Sequence, residues 1–297
     1  MSQVSSLSSQ EHERTLGTAE RVAALFVSTL LVGVMGVLAW SRGAVGISRA
    51  DDWSYLLTQF EFEQSGEFLL NNWAVTMLIG QTIAAWPVTA IAGANIFWHQ
   101  VFVATFAVAG LWITYLLLRR YLAPRWSTLS VGTLALGPLF APSAISFMTD
   151  VPAFAFMAGA LLAGAIAVDR SPFSWPWFAF SLALSLVAFT FRDYAILAGL
   201  TVALVAAARV GHQRVPLMGI GGGFAVFVGI AGGLYLWRHA LPNDLKLPGW
   251  PLDYSFALLG RASLTGALVI SPALAFVSVR AVIRQSRKQP WLLVAGL

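Results

Sequence analysis

VAALFVSTLLVGVMGVLAW, residues 22–40, runs without a single charged side chain. Coiled as a helix at 1.5 Å per residue it is about 28 Å long, close to the ~30 Å hydrocarbon thickness of a bilayer. Ser48 and Ala50 satisfy a small-x-small cleavage rule, but the run is longer than the core of a signal peptide. It reads as a retained first span. The polar, Ser-rich stretch before it sets residues 1–21 apart as a disordered cytosolic tail.

The remaining composition repeats that pattern. Of 297 residues, 58% are hydrophobic and only 10% charged, with a mean hydropathy of +0.75. Soluble domains carry roughly 25% charged residues, and water would face too much apolar surface here. The net charge of +5 does not indicate nucleic acid, because the basic residues form short clusters between apolar runs instead of a stripe on a polar domain. Without cysteine there is no disulfide framework, thiolate metal site or cysteine nucleophile.

Apolar runs fall near 22–40, 73–92, 95–118, 126–147, 151–168, 175–191, 194–208, 216–237 and 256–280. The run 73–92 decides the topology. If it stays in the interface and the tail is cytosolic, Arg14, Arg21, Arg119, Arg120, Arg125, Arg170, Arg209, Arg214, Arg280, Arg284, Arg287 and Lys288 fall inside, which is twelve of the 18 Lys and Arg. If it crosses, the tally reverses. The positive-inside rule favours the first arrangement. Gln81 and Trp86-Pro87 within the run also suit a bent interfacial or re-entrant piece. The expected fold is all-α: about eight transmembrane helices in a module over 22–297, with interfacial helices in an outer loop, 41–94. The short apolar end, Trp291–Leu297, leads us to expect a continuation beyond Leu297.

In this orientation most carboxylates lie on the outer face. Asp51-Asp52 follows the first span directly, and Trp53, Leu56, Leu57 and Phe60 then recur at i, i+3, i+4 and i+7. That spacing predicts a short amphipathic helix on the membrane surface. Asp150 stands in Met148-Thr149-Asp150-Val151-Pro152 at the start of another span, and Arg192-Asp193 interrupts an apolar stretch. Taken singly, the first two read as helix caps and the third as a local ion pair at a tight turn. Together they form a charged cluster on one face, able to bind a cation, deprotonate a hydroxyl or hold an anionic leaving group. His99 lies on the same face and joins the candidates, though a lone histidine there is more often structural. The Gly-rich stretch 219–233 falls within a span and fits helix packing, not a nucleotide loop.

Asp51-Asp52 after a first span, followed about a hundred residues later by Phe147-Met148-Thr149-Asp150-Val151-Pro152, resembles the C-type integral-membrane glycosyltransferases. The resemblance is to the branch of protein O-mannosyltransferases and aminoarabinose transferases. It implies a sugar donor on a polyprenyl-phosphate carrier, chemistry at the outer face of a bacterial cytoplasmic membrane, and lipid rather than nucleic acid as surroundings. It further implies Asp51 or Asp52 as the base on an acceptor hydroxyl. Asp150 would help form the site or, with the acidic pair, hold a divalent cation. Arg192, with Arg261 and Arg238 behind it, would bind the carrier phosphate, with Asp193 and His99 nearby. The pair is Asp-Asp where Asp-Glu is common, so which member is the base stays open. A transporter or flippase of a lipid-linked or anionic substrate, and a non-catalytic membrane scaffold, are the alternatives. The first would call for charges at mid-span depth.

Overall fold

Backbone amides have no water partner in hydrocarbon, so apolar runs must satisfy them internally, as helices. The structure, a computed structural model, describes residues 17–49, 51–70, 76–211 and 214–241. The chain divides into two units, residues 1–244 and 245–297, and all described residues belong to the first. The run 256–280, Arg261 and most of the N-terminal tail lie outside the described residues.

All regular structure among the described residues is helical. The helices are α1 (Thr18–Ser41), α2 (Asp52–Ser65), α3 (Ile79–Ala92), α4 (Ile96–Leu118), α5 (Pro124–Ala135), α6 (Phe140–Ala144), α7 (Asp150–Asp169), α8 (Trp175–Phe191), α9 (Ile196–Val210) and α10 (Arg214–Ala240). A 3₁₀ turn, Asp193–Ala195, leads into α9. Among the described residues, five segments are long and apolar enough to cross a membrane: Thr18–Ser41, Ile96–Leu118, Asp150–Asp169, Asp193–Val210 and Val215–Ala240. The apolar run 126–147 is not one helix. It breaks between Ala135 and Phe140, around Gly137-Pro138, where the proline cannot donate to a continuing helix.

Helix α7 is the central post, packed on α4, α8 and α9. Its buried face is almost all small: Ala153, Ala155, Ala158, Ala160, Ala163, Gly164 and Ala167. Lipid tails are as apolar as leucine, so helices in a bilayer gain by close backbone approach, which small residues permit. The fit is tight at Gly164, where an added Cβ would come within 2.6 Å of Val202 on α9. Larger apolar side chains, such as Phe26, Leu38 and Leu204, point outward.

Cross-bundle hydrogen bonds fix which helix ends lie together. Glu20 at the start of α1 accepts from Tyr115 Oη (2.9 Å) and Arg119 Nε (2.5 Å) at the end of α4. At the other end, the Gly46 N–H donates to Gln100 Oε1 (2.8 Å), and Gln100 Nε2 donates to the Ile47 carbonyl (2.9 Å). The chain between Ile47 and Gln100 therefore returns to the end it left. Arg120 pairs with Asp169 (2.6 Å), and Arg209 Nε reaches the Val168 carbonyl (3.4 Å), adding the ends of α7 and α9 to the Arg119 end. We call this the basic end and the opposite one the site end.

Helices α2 and α3 lie at the site end. Each has 14 residues, about 21 Å of helix, too short for the ~30 Å core. Both ends of α3 touch end turns of other helices: Gly80 sits against Thr190 and Phe191, and Thr89 Oγ1 bonds His99 Nε2 (2.9 Å). Helix α3 thus lies across the end of the bundle. The expected amphipathic helix is α2, but its packed face is offset from the expected stripe. Asp52, Tyr55, Leu56 and Gln59 face inward, while Trp53 and Leu57 are exposed. Where the surroundings are apolar, polar side chains gain most from the protein interior, and the tryptophan is left to the interface.

Candidate functional site

The acidic pair is divided by burial. Asp51 occupies the N-cap position of α2 without making a capping bond, and its side chain is exposed. Asp52, in the first turn, is fully buried. Its Oδ1 accepts from the Arg49 N–H while its own N–H donates back to the Arg49 carbonyl (3.2 Å), which closes the turn from both sides. Burial raises the Asp52 carboxyl above its ordinary value, and the amides of Arg49 and Phe147 partly offset that. Arg49 also donates from Nη2 to the Ile145 carbonyl (2.8 Å). The first loop is thereby seated on residues 145–147, directly before Asp150.

Asp150 is not used as a cap either. Helix α7 has Thr149 at its N-cap with no side-chain bond, while both carboxylate oxygens of Asp150 are engaged elsewhere. Oδ2 pairs with Arg192 Nη2 at 2.5 Å, and Oδ1 accepts from the Tyr194 hydroxyl at 3.1 Å. Arg192 is the C-cap of α8 and has an extended backbone (φ −146°, ψ 131°). In extended chain, successive side chains leave in opposite directions. Arg192 pairs with Asp150 on α7, whereas Arg238 on α10 is the strongest charge acting on Asp193. The ion pair that Arg192 makes is therefore with another helix, while Asp193 stays within electrostatic reach of both Arg238 and Arg192.

Tyr55 joins the two halves. It lies one turn beyond Asp51 on α2, is buried, and sits within electrostatic reach of Arg192, Asp51 and Asp150. Burial, with the two carboxylates, raises its hydroxyl above the usual tyrosine value despite the opposing effect of Arg192. Its hydroxyl lies against Thr76, whose carbonyl accepts from Arg238 Nε (3.3 Å). The Met77 amide faces Asp193. Leu78, fully buried next in line, has a left-handed φ of +53°, which costs a non-glycine residue about 1 kcal/mol. Charged groups on both sides hold residues 76–78 in that conformation.

Asp51, Asp52, Asp150, Arg192, Asp193 and Arg238 thus all lie at the site end, where Arg192 and Asp150 are in direct contact. His99 is at the same end but has a different setting. It is fully buried, with Nε2 on Thr89 and Nδ1 on the Asn95 carbonyl (2.8 Å), and its ring lies edge-on to Phe60 and Phe147. With both nitrogens occupied it ties α3 to α4 and offers a ligand no free atom. The expected cation site does not fit the side chains. Among the described residues no three His, Asp or Glu groups come together as a ligand set. Asp150 spends both oxygens on Arg192 and Tyr194, and Asp52 is fully buried with Oδ1 on the Arg49 amide.

Sequence reasoning missed Arg49, Tyr55 and Tyr194. Arg49 stood next to the acidic pair, and Tyr55 follows Asp51 at i+4, the spacing that puts two side chains on one helix face.

Comparison with curated proteins and with solved structures returns no match for this chain. A family profile described as dolichyl-phosphate-mannose-protein mannosyltransferase matches residues 81–232. The match covers α4 to α9 with Asp150, Arg192 and Asp193, and leaves the acidic pair outside it. With several apolar membrane-length helices and this match over half its length, the chain is a multi-pass membrane glycosyltransferase of the C type and belongs to the dolichyl-phosphate-mannose-protein mannosyltransferase family.

Proposed function

We propose that the protein transfers a sugar from a polyprenyl-phosphate carrier to an acceptor hydroxyl, with Asp51 as the general base and Arg192 at the carrier phosphate. One observation carries the choice of base. Asp51 is the exposed carboxylate that, like the Asp150–Arg192 pair, lies within electrostatic reach of Tyr55, while its neighbour Asp52 is buried with Oδ1 on the Arg49 amide.

The Asp51 carboxylate takes the proton of the acceptor hydroxyl as its oxygen attacks the anomeric carbon. The bond from that carbon to the phosphate oxygen breaks, and Arg192 balances the charge left on the polyprenyl phosphate. A single displacement of this kind inverts the anomeric centre. The charge distribution supports chemistry at the outer face. Arg21, Arg119, Arg120, Arg125, Arg170 and Arg209 gather at the basic end, which by the positive-inside rule is the cytosolic side.

The test is transfer in membranes supplied with polyprenyl-linked sugar. Asp51→Asn keeps the shape and removes the proton acceptor, so the rate should fall roughly 10²-fold or more. Asp52→Asn, which keeps an oxygen for the Arg49 amide, should lose much less. Near-normal transfer by Asp51→Asn would rule out Asp51 as the base.

A further inference from the structure

The expected cation at Asp150 has no ligand set, yet Asp150 has close partners on both oxygens. Oδ2 holds Arg192 Nη2 at 2.5 Å, and Oδ1 takes the Tyr194 hydroxyl at 3.1 Å. Arg192 comes from the end of α8 and Asp150 from the start of α7, so the bond spans two helices. The Arg192 Nε is enclosed without a protein partner. A guanidinium is a planar fork of five N–H donors, and a carboxylate on one arm fixes the direction of the others.

We propose that Asp150 is a positioning residue for an anion site: with the Tyr194 hydroxyl it holds the Arg192 guanidinium so that the remaining N–H donors face a prenyl-linked phosphate. The inference rests on the carrier reading above and changes the part Asp150 plays in it. Asp150 neither ligates a metal nor takes a proton, and its effect on substrate passes entirely through Arg192. Tyr194 serves as a second prop, since its hydroxyl keeps Oδ1 occupied and leaves Oδ2 for the arginine. An unheld arginine at this depth would sample several rotamers and lose ordering entropy on each binding event.

The experiment measures farnesyl phosphate binding to the full chain in neutral detergent, with inorganic phosphate as the comparison anion. Wild-type protein should bind farnesyl phosphate in clear preference to inorganic phosphate. Asp150→Asn and Arg192→Met should each weaken binding about tenfold or more, and Tyr194→Phe by less. The double variant should be no worse than Arg192→Met alone, since non-additivity is the mark of residues acting as one unit. In transfer assays Asp150→Asn should raise the donor KM and lower kcat together, since one guanidinium both binds the phosphate and balances the charge it develops.

Fully additive losses in the double variant would overturn the positioning role, as would a kcat loss at unchanged KM. Asp150→Glu, which keeps the charge and can still reach Arg192, should recover part of the binding; recovery absent in a folded, membrane-inserted Glu variant would also count against the proposal. Wild-type binding with Asp150→Asn indistinguishable from it would defeat this proposal alone. No binding of farnesyl phosphate by wild type would instead defeat the carrier reading on which it stands.

Discussion

Arg192 and Asp193 are adjacent in the chain, yet Arg192 pairs with Asp150 on α7 while the strongest charge acting on Asp193 is Arg238 on α10, because the backbone at Arg192 is extended. Their order therefore matters as much as their presence. Exchanging them, Arg192→Asp with Asp193→Arg, preserves composition and net charge but turns an aspartate toward Asp150 and an arginine toward Arg238. Like charges enclosed at short range repel, and burial weakens the screening that would relieve them. The exchanged protein should lose transfer and melt at lower temperature than either single Ala variant, as read by thermal unfolding in detergent. The same residues show what a sequence conceals. The sequence exposes both charges of the dipeptide, and both carboxylates of Asp51-Asp52, but gives no sign of which neighbour each will meet. The amide of Phe147, almost a hundred residues away, acts on the Asp52 carboxyl, and enclosure of His99 depends on Thr89 and two phenylalanines from other segments.

Among the elements, α3 depends most on a single small residue. A Cβ at Gly80 would stand 2.3 Å from Thr190 Oγ1 and 2.7 Å from the Phe191 ring, and Phe191 is almost fully buried, so the ring cannot step aside. Gly80→Ala should therefore lift the start of α3 off α8 and cost about 1–3 kcal/mol, the usual range for overpacking. Thermal or denaturant unfolding of the detergent-solubilised protein measures it. Because residues 76–78 lead into α3, the donor KM should rise as well. The long spans were legible because an uninterrupted apolar run near twenty residues has few other solutions. The break around Gly137-Pro138 was signalled by a proline inside the run 126–147, and its weight was missed. The inward face of α2 was not legible at all. Periodicity identified the apolar stripe, but a helix between lipid and protein turns its polar residues inward.

At the level of the molecule, all-helical architecture followed from hydropathy, and orientation put the charged motifs on one face. The division of labour within the gathered cluster did not, because it rests on pairings between helices distant in sequence. The charges themselves are arranged in two tiers. Every Asp, Glu, Lys and Arg among the described residues stands at one end of the bundle or the other, and none stands midway along a span. An electric field across the membrane does work only on charge that moves through it, about 2.3 kcal/mol per elementary charge per 100 mV. A protein charged only at its two ends gives the field no lever. Transfer in sealed vesicles should then run at the same rate whether a potassium-diffusion potential is imposed or collapsed. A rate that followed the voltage would indicate charge carried through the membrane, as a transporter requires.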